Sequence, residues 1–218
     1  MDGFSYLSVM VSIVLGLGLT QLFAGIGNLV QIRRRVRLYW LHSLWVLLLI
    51  VLHLHMWWSF WALRGVADWT YAIFVYVLIG PGALVIASHI IIPELIDNRI
   101  DIERHYFDTS PLFFGILTVA AAWAMFLEPI MGLRAFFVPF RILQVIAVAT
   151  FASCSASKDR RLHAAAITLI VLLLVIGITI DRVSLGQFKL RQGLRRHGAS
   201  QSGYPERSIA SAASVPLW

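Results

Sequence analysis

Residues 6–30 read YLSVMVSIVLGLGLTQLFAGIGNLV and contain no charged side chain. A helix of this length spans about 38 Å at 1.5 Å per residue, whereas the hydrocarbon core of a bilayer is about 30 Å thick. The apolar run is continuous rather than alternating, and a segment in lipid must satisfy its own backbone hydrogen bonds. The segment therefore predicts a transmembrane α-helix and not a strand of a membrane barrel.

The rest of the chain repeats this pattern. Of its 218 residues, 59% are hydrophobic and 13% are charged, whereas about a quarter of a soluble domain is charged. Five more apolar segments follow, at 39–63, 69–92, 111–127, 135–154 and 164–180. We therefore predict an all-α polytopic bundle of about six transmembrane helices over residues 1–185. The basic tail, residues 186–218, has too little apolar surface to fold alone and is predicted to be disordered.

The basic residues predict the orientation of this bundle in the membrane. The connections predicted to lie inside carry nine Lys and Arg residues, namely Arg33, Arg34, Arg35, Arg37, Arg99, Arg104, Lys158, Arg160 and Arg161. The outer connections carry only Arg64 and Arg134. Because Lys and Arg concentrate on the cytoplasmic side, we predict an outside N-terminus and a lipid bilayer as the partner, with no nucleic acid. The basic tail then lies outside, so a sixth segment that does not cross is the alternative.

Small and polar residues recur at every fourth position of the first segment. They are Ser8, Ser12, Gly16, Thr20, Ala24 and Asn28. Such a stripe lets another helix approach closely. We interpret it as a helix-packing seam within the bundle or in a homodimer. The alternative is that the stripe, together with Gln21, lines a water-filled path.

Arg141 lies inside the fifth apolar segment. A charged side chain there costs a few kcal/mol on insertion scales and is expected to face the protein interior with a partner. Glu128 is the predicted partner, with Asp181 as the alternative, and Gln144 lies one turn deeper on the same helix face. These residues predict either an ion or solute path open to the outside, or a structural pair in which Arg141 reaches toward the interface.

Two histidines of the second segment, His53 and His55, fall at a similar predicted depth and are candidates for the same path. Positions two apart on a helix differ by about 200°, so the two imidazoles cannot easily bind one metal ion. Cys154 is the only cysteine, which excludes an intrachain disulfide and a thiolate cluster. We therefore predict no cofactor, with haem or copper as the alternative.

The third segment contains Gly80-Pro81-Gly82 near its middle. Pro81 removes one backbone donor, and the glycines allow the chain to bend. We expect an interrupted helix here, and a broken helix at the membrane midplane is typical of a transporter site. A simple proline kink is the alternative.

The connection after the third segment is acidic. Glu94, Asp97, Asp101 and His105 fall on one side of a possible helical extension, together with Asp108. They are weak candidates for a divalent-metal site. Salt bridges with the neighbouring Arg99 and Arg104 are the favoured interpretation, because the spacing is not diagnostic of a metal.

The stretch IVLGLGLTQLFAGIGNLVQIRRRVRLYWLHSLW, residues 13–45, resembles a family of small bacterial multi-pass membrane proteins of unknown function. Shared features are the basic loop before a Tyr-Trp pair, Pro93 with nearby acidic residues, and the pair His105-Tyr106. The resemblance covers most of the chain up to the sixth segment. It implies a bacterial inner-membrane location and carries no activity with it.

We expect a small channel or transporter for an ion or small solute, with its path near the first, third and fifth helices. The alternative is a non-catalytic accessory subunit or sensor of a larger membrane complex, or a homo-oligomer. A haem, quinone or metal redox subunit is a third interpretation. The sequence has no Walker A, HExxH or GxSxG motif, so we do not expect an enzyme.

Overall fold

The structure is a computed structural model that describes residues 3–34, 36–66, 68–93, 100–133 and 140–179. Over these residues the chain is all-α, which confirms the predicted fold class. The helices are α1 Gly3–Gln31, α2 Trp40–Ser59, α3 Tyr71–Ile91, α4 Ile102–Ile130, α5 Phe140–Ala156 and α6 Arg160–Thr179. A 3-10 helix, Phe60–Gly65, continues α2. Two short strands, β1 Val36–Arg37 and β2 Ile100–Asp101, pair in parallel.

Five of these helices are long and apolar enough to cross a membrane: α1, α2 with its 3-10 extension, α3, α4 and α6. The fifth helix, α5, has 17 residues and is shorter. The helix lengths and composition are those of a multi-pass membrane protein, while the side on which the N-terminus lies stays a prediction. The predicted tail, residues 186–218, lies outside the described residues.

The chain divides into two compact units, Met1–Leu174 and Val175–Trp218. Of the second unit the structure describes only residues 175–179, which end α6. Within the first unit we call the end that holds Arg33, Arg37, Glu103 and Arg160 the arginine end. The end that holds Trp57, Trp58, Trp61 and Ile130 is the tryptophan end.

One face of α1 packs inside the bundle. Its buried residues recur at steps of four or three: Leu7, Val11, Leu15, Gly18, Leu22, Gly25 and Leu29. This spacing keeps one side of a helix continuously against its neighbours. A Cβ atom at Gly18 would overlap the imidazole of His53 on α2, and one at Gly25 would overlap Ile92 after α3. The two glycines therefore let α1 approach both helices closely.

The predicted small-residue stripe is not part of this face. Thr20, Ala24 and Asn28 are exposed, and nothing lies within 4 Å of a Cβ built on Gly16. The Thr20 hydroxyl donates to the Gly16 carbonyl of its own helix at 2.8 Å. This part of the stripe therefore lies outside the bundle, and the neighbouring apolar face of α1 packs inside it. The homodimer alternative stays a prediction.

The helices pack in an order that the sequence did not reveal. α1 packs on α3, α3 on α4 and α4 on α5, while α2 lies against α1 and α3. A cluster of aromatic rings joins α2, α4 and α5, and in it Trp45 meets Phe114 at 4.9 Å between ring centroids. Among the described residues α5 makes no comparable contact with α1 or α3. Among the described residues, α1, α3 and α5 therefore do not share one surface along which the predicted path could run.

The third helix is continuous from Tyr71 to Ile91, with Pro81 inside it, so the predicted interruption is wrong. Gly80 is buried against Trp123 of α4, whose ring would overlap any Cβ at that position. The Trp123 indole donates to the Tyr76 carbonyl at 2.8 Å. Because Pro81 has no N–H, the Val77 carbonyl lacks its intrahelical donor. The Tyr76 carbonyl, which accepts from Trp123, is the neighbour of that group in the chain. A neighbouring helix thus supports the backbone beside the proline, which keeps the helix intact.

Gly80→Ala should destabilise the protein by about 1–3 kcal/mol, because the added methyl group overpacks the contact with Trp123. Gly82→Ala is the matched control, since nothing lies within 4 Å of a Cβ there. The measurement is the thermal unfolding midpoint of each variant in detergent. Equal midpoints for the two variants would show that the Trp123 contact does not require a glycine.

Candidate functional site

Arg141 at the start of α5 is the most deeply buried charge among the described residues, with 5% of its surface exposed. Its Nη1 donates to the Met125 carbonyl of α4 at 2.5 Å and to Gln144 Oε1 at 2.6 Å. Its Nη2 lies 3.9 Å from Glu128 Oε2. The predicted pairing with Glu128 is confirmed. The alternative partner Asp181 lies outside the described residues.

The contact with Met125 has a specific cause in the backbone of α4. Pro129 lies four residues after Met125 and has no N–H, so the Met125 carbonyl lacks its usual intrahelical donor. In lipid no water replaces that donor. The guanidinium of Arg141 supplies one from the next helix. The same logic applies at Pro111, where the Ser110 hydroxyl donates to the Phe107 carbonyl at 3.1 Å.

The arrangement around Arg141 therefore has a structural explanation that the sequence alone did not suggest. One cation satisfies a carbonyl, an amide and a carboxylate that belong to two helices. The Glu128 side chain remains 24% exposed, so one side of this group lies near the surface at the tryptophan end. The group holds an ion pair whose Glu128 Oε2 atom is buried, while the Glu128 side chain as a whole is partly exposed.

The two histidines of α2 have different surroundings. His53 is fully buried, and its Nδ1–H donates to the Leu49 carbonyl at 2.8 Å. Its Nε2 lies 3.4 Å from the Ser88 hydroxyl of α3, which itself donates to the Leu84 carbonyl. His55 is half-buried. His53 is therefore part of the α1–α2–α3 packing, separate from the group that holds Arg141.

A shallow groove of about 230 Å³ lies between α1 and α2. It is lined by Ser12, Leu15, Gly16, Leu19, His53, Leu54 and Trp57. The Trp57 indole donates to the Ser12 hydroxyl at 3.0 Å across the gap. Ser12 and Gly16 belong to the predicted stripe, and Gln21 lies half-buried further along α1. Two residues of the stripe, Ser12 and Gly16, thus line a concavity at the surface.

A second group of histidines lies at the arginine end. His42 is buried, and its Nε2–H donates to the carbonyl of Ile91, the last residue of α3, at 2.8 Å. His105 donates to the same oxygen at 3.3 Å. The last carbonyls of a helix have no intrahelical partner. The two imidazoles supply donors to one of these orphan groups, so their role is to hold the end of α3.

Sequence reasoning missed a buried pair, Tyr106 of α4 and His163 of α6. The Tyr106 hydroxyl lies 2.7 Å from His163 Nδ1, and His163 Nε2 lies 2.8 Å from the Ser157 carbonyl. A carbonyl only accepts, so Nε2 carries the proton and Nδ1 accepts from the tyrosine. No spacing could have linked residues 57 positions apart. Nearby, burial and the Glu103 carboxylate raise the pKa of Tyr39.

The weak metal candidates do not form a cluster in the part of the chain that the structure describes. Asp101 caps α4, and its carboxylate accepts the backbone N–H groups of Glu103 and Arg104. His105 is engaged with Ile91. No group of three or more His, Cys, Asp or Glu residues that could hold a metal occurs among the described residues. Glu94 and Asp97 lie outside them.

The chain matches no known family model, and neither a curated protein nor a solved structure matches it. The resemblance to bacterial multi-pass membrane proteins therefore stays a prediction. Function has to be argued from the molecule alone.

Arg141→Gln should lower the free energy of unfolding by about 2–4 kcal/mol, because the Met125 carbonyl and Glu128 lose a buried partner. In a Pro129→Ala background the loss should be about 1–2 kcal/mol smaller, since the alanine introduced there supplies the missing N–H to the Met125 carbonyl. A double-mutant cycle of unfolding free energies in detergent measures this coupling. Strictly additive losses would contradict the role assigned to Arg141.

Proposed function

We propose that this chain is a non-catalytic membrane subunit that works by associating with another transmembrane helix through the exposed face of α1. The single observation that carries the proposal is the position of the small-residue stripe. Its members Thr20, Ala24 and Asn28 are exposed on the outside of the bundle, beside the groove at Gly16. Small residues at this spacing allow close approach of two helices in lipid.

The polar residues beside the stripe support this proposal. Gln21 is half-buried and Asn28 is exposed. Lipid tails offer no hydrogen-bonding group, so an amide that faces them loses the hydrogen bonds it would make in water. A second helix with polar side chains would satisfy these amides. The partner helix belongs either to a second copy of the chain or to a larger membrane complex, and we propose the bacterial inner membrane as its setting.

The double substitution Gly16→Leu and Ala24→Leu should weaken association at least about tenfold, because the added side chains keep a partner helix at a distance. Thermal stability should stay unchanged, since nothing lies within 4 Å of a Cβ at Gly16 and Ala24 is exposed. Gly82→Leu on α3, where a Cβ also meets nothing, is the matched control. The measurement is native mass spectrometry after gentle extraction from the membrane. Recovery of the unsubstituted protein as a lone monomer would contradict the proposal.

Transport of an ion or small solute is the second candidate function. One observation favours it: the side chain of Arg141 is 6% exposed, while that of its partner Glu128 is 24% exposed. A charge pair with one buried member and one accessible member is a place where a proton or an anion could exchange. Charged groups within membrane proteins commonly mark such sites.

Arg141→Leu should abolish proton or chloride flux into proteoliposomes if this second candidate is right. The variant that combines Pro129→Ala with Arg141→Leu should recover part of the lost stability. If flux is still absent in this variant, the cause is the lost charge and not a failure to fold. Arg64→Leu, at an exposed arginine, is the control for charge removal. Unchanged flux in both Arg141 variants would remove this residue from any transport path.

A further inference from the structure

The connection between α1 and α2 is held in place at two inward-facing residues. Val36 is 9% exposed and packs with Leu29 and Ile102 in a small cluster of its own. Its strand pairs with β2, which fixes the backbone on the side of α4. Three residues later the Tyr39 ring lies 5.7 Å from that of Tyr106. The connection is therefore a fixed surface.

The described arginines before and after Val36 point outward. Arg33, Arg34 and Arg37 are exposed. Leu38 and Trp40, next to them, are 59% and 57% exposed. Since α1 ends at Gln31 and α2 begins at Trp40, both as membrane-length helices, this surface lies where lipid headgroups meet the hydrocarbon. Tryptophan is enriched at that depth.

The carboxylates of the arginine end are engaged by other groups. Glu103 pairs with Arg160, and Asp108 pairs with both Arg104 and Lys158. These ion pairs join α4 to the start of α6 and neutralise the cations of that region.

Two further carboxylates are used by the backbone. Asp101 accepts the first N–H groups of α4, and Asp159 accepts the N–H of Arg161. Among the described residues Arg33, Arg34 and Arg37 consequently face no carboxylate. Arg33 donates only to the Val30 carbonyl at the end of α1.

We propose that Arg33, Arg34 and Arg37 bind the phosphate headgroup of an anionic lipid. Three guanidinium groups that meet no carboxylate among the described residues present planar donor pairs that match phosphate oxygens. Leu38 and Trp40 lie on the same surface, where they would contact the acyl chains of that lipid. A soluble anion would leave these two apolar side chains without a partner, whereas a lipid contacts both parts of the surface.

The experiment uses the purified full chain in detergent, where the direction of membrane insertion does not affect access to the headgroup. Native mass spectrometry counts bound phosphatidylglycerol in the presence of excess phosphatidylcholine. The unsubstituted protein should retain phosphatidylglycerol. The triple variant Arg33→Gln, Arg34→Gln and Arg37→Gln should retain at least about tenfold less, since each arginine near an anionic headgroup contributes about fivefold.

The matched control removes the same charge from three cations that pair with carboxylates: Arg104→Gln, Lys158→Gln and Arg160→Gln. It should bind phosphatidylglycerol like the unsubstituted protein. Equal losses in the two triple variants would overturn the proposal, because the attraction would then be due to net charge alone. Complete displacement of the lipid by inorganic phosphate would also overturn it, because the site would then take a free anion.

Folding is monitored by the thermal unfolding midpoint, which should be unchanged because the three arginines are exposed. If the triple variant unfolds, the single variant Arg37→Gln should bind about fivefold less phosphatidylglycerol, and full binding by that variant would overturn the proposal.

Discussion

A backbone carbonyl inside a bilayer has no water with which to form a hydrogen bond. The structure depends on this constraint where a proline, which has no N–H, leaves a helix carbonyl without its donor. Pro129 leaves the Met125 carbonyl without its donor, and Arg141 supplies one. Pro111 likewise leaves the Phe107 carbonyl without its intrahelical donor, and the Ser110 hydroxyl donates to that carbonyl instead. Each of these two prolines thus has a polar side chain that donates to the carbonyl it leaves without a partner, since an unsatisfied group in lipid costs several kcal/mol.

The same constraint explains the buried imidazoles. His42 and His105 both donate to the Ile91 carbonyl where α3 ends, and His163 donates to the Ser157 carbonyl before α6. His105, a weak metal candidate in the sequence, donates to a backbone oxygen in the structure. The arrangement of these three histidines holds helix ends together, and with Tyr106 it links α4 to α6.

The first helix has two faces, one packed inside the bundle and one left exposed. Its apolar face, with Gly18 and Gly25, lies against α2 and α3. Its small and polar face, with Thr20 and Asn28, is left outside. Both the proposed helix association and the proposed lipid site follow from surfaces that the bundle leaves uncovered. One lies within the hydrocarbon region and the other lies at the headgroups, so they can operate independently.

The amino-acid sequence by itself determined the membrane class, the positions of the helices and the pairing of Arg141 with Glu128. Backbone in lipid needs long apolar runs, and a charge there needs a partner, so these features are visible in a single chain. Only the tertiary structure decided which face of α1 is buried, because two faces about 100° apart both looked suitable for packing. It also decided that α3 stays intact at Pro81 and that Tyr106 meets His163. Those outcomes depend on which helices become neighbours, and one sequence contains no record of that order.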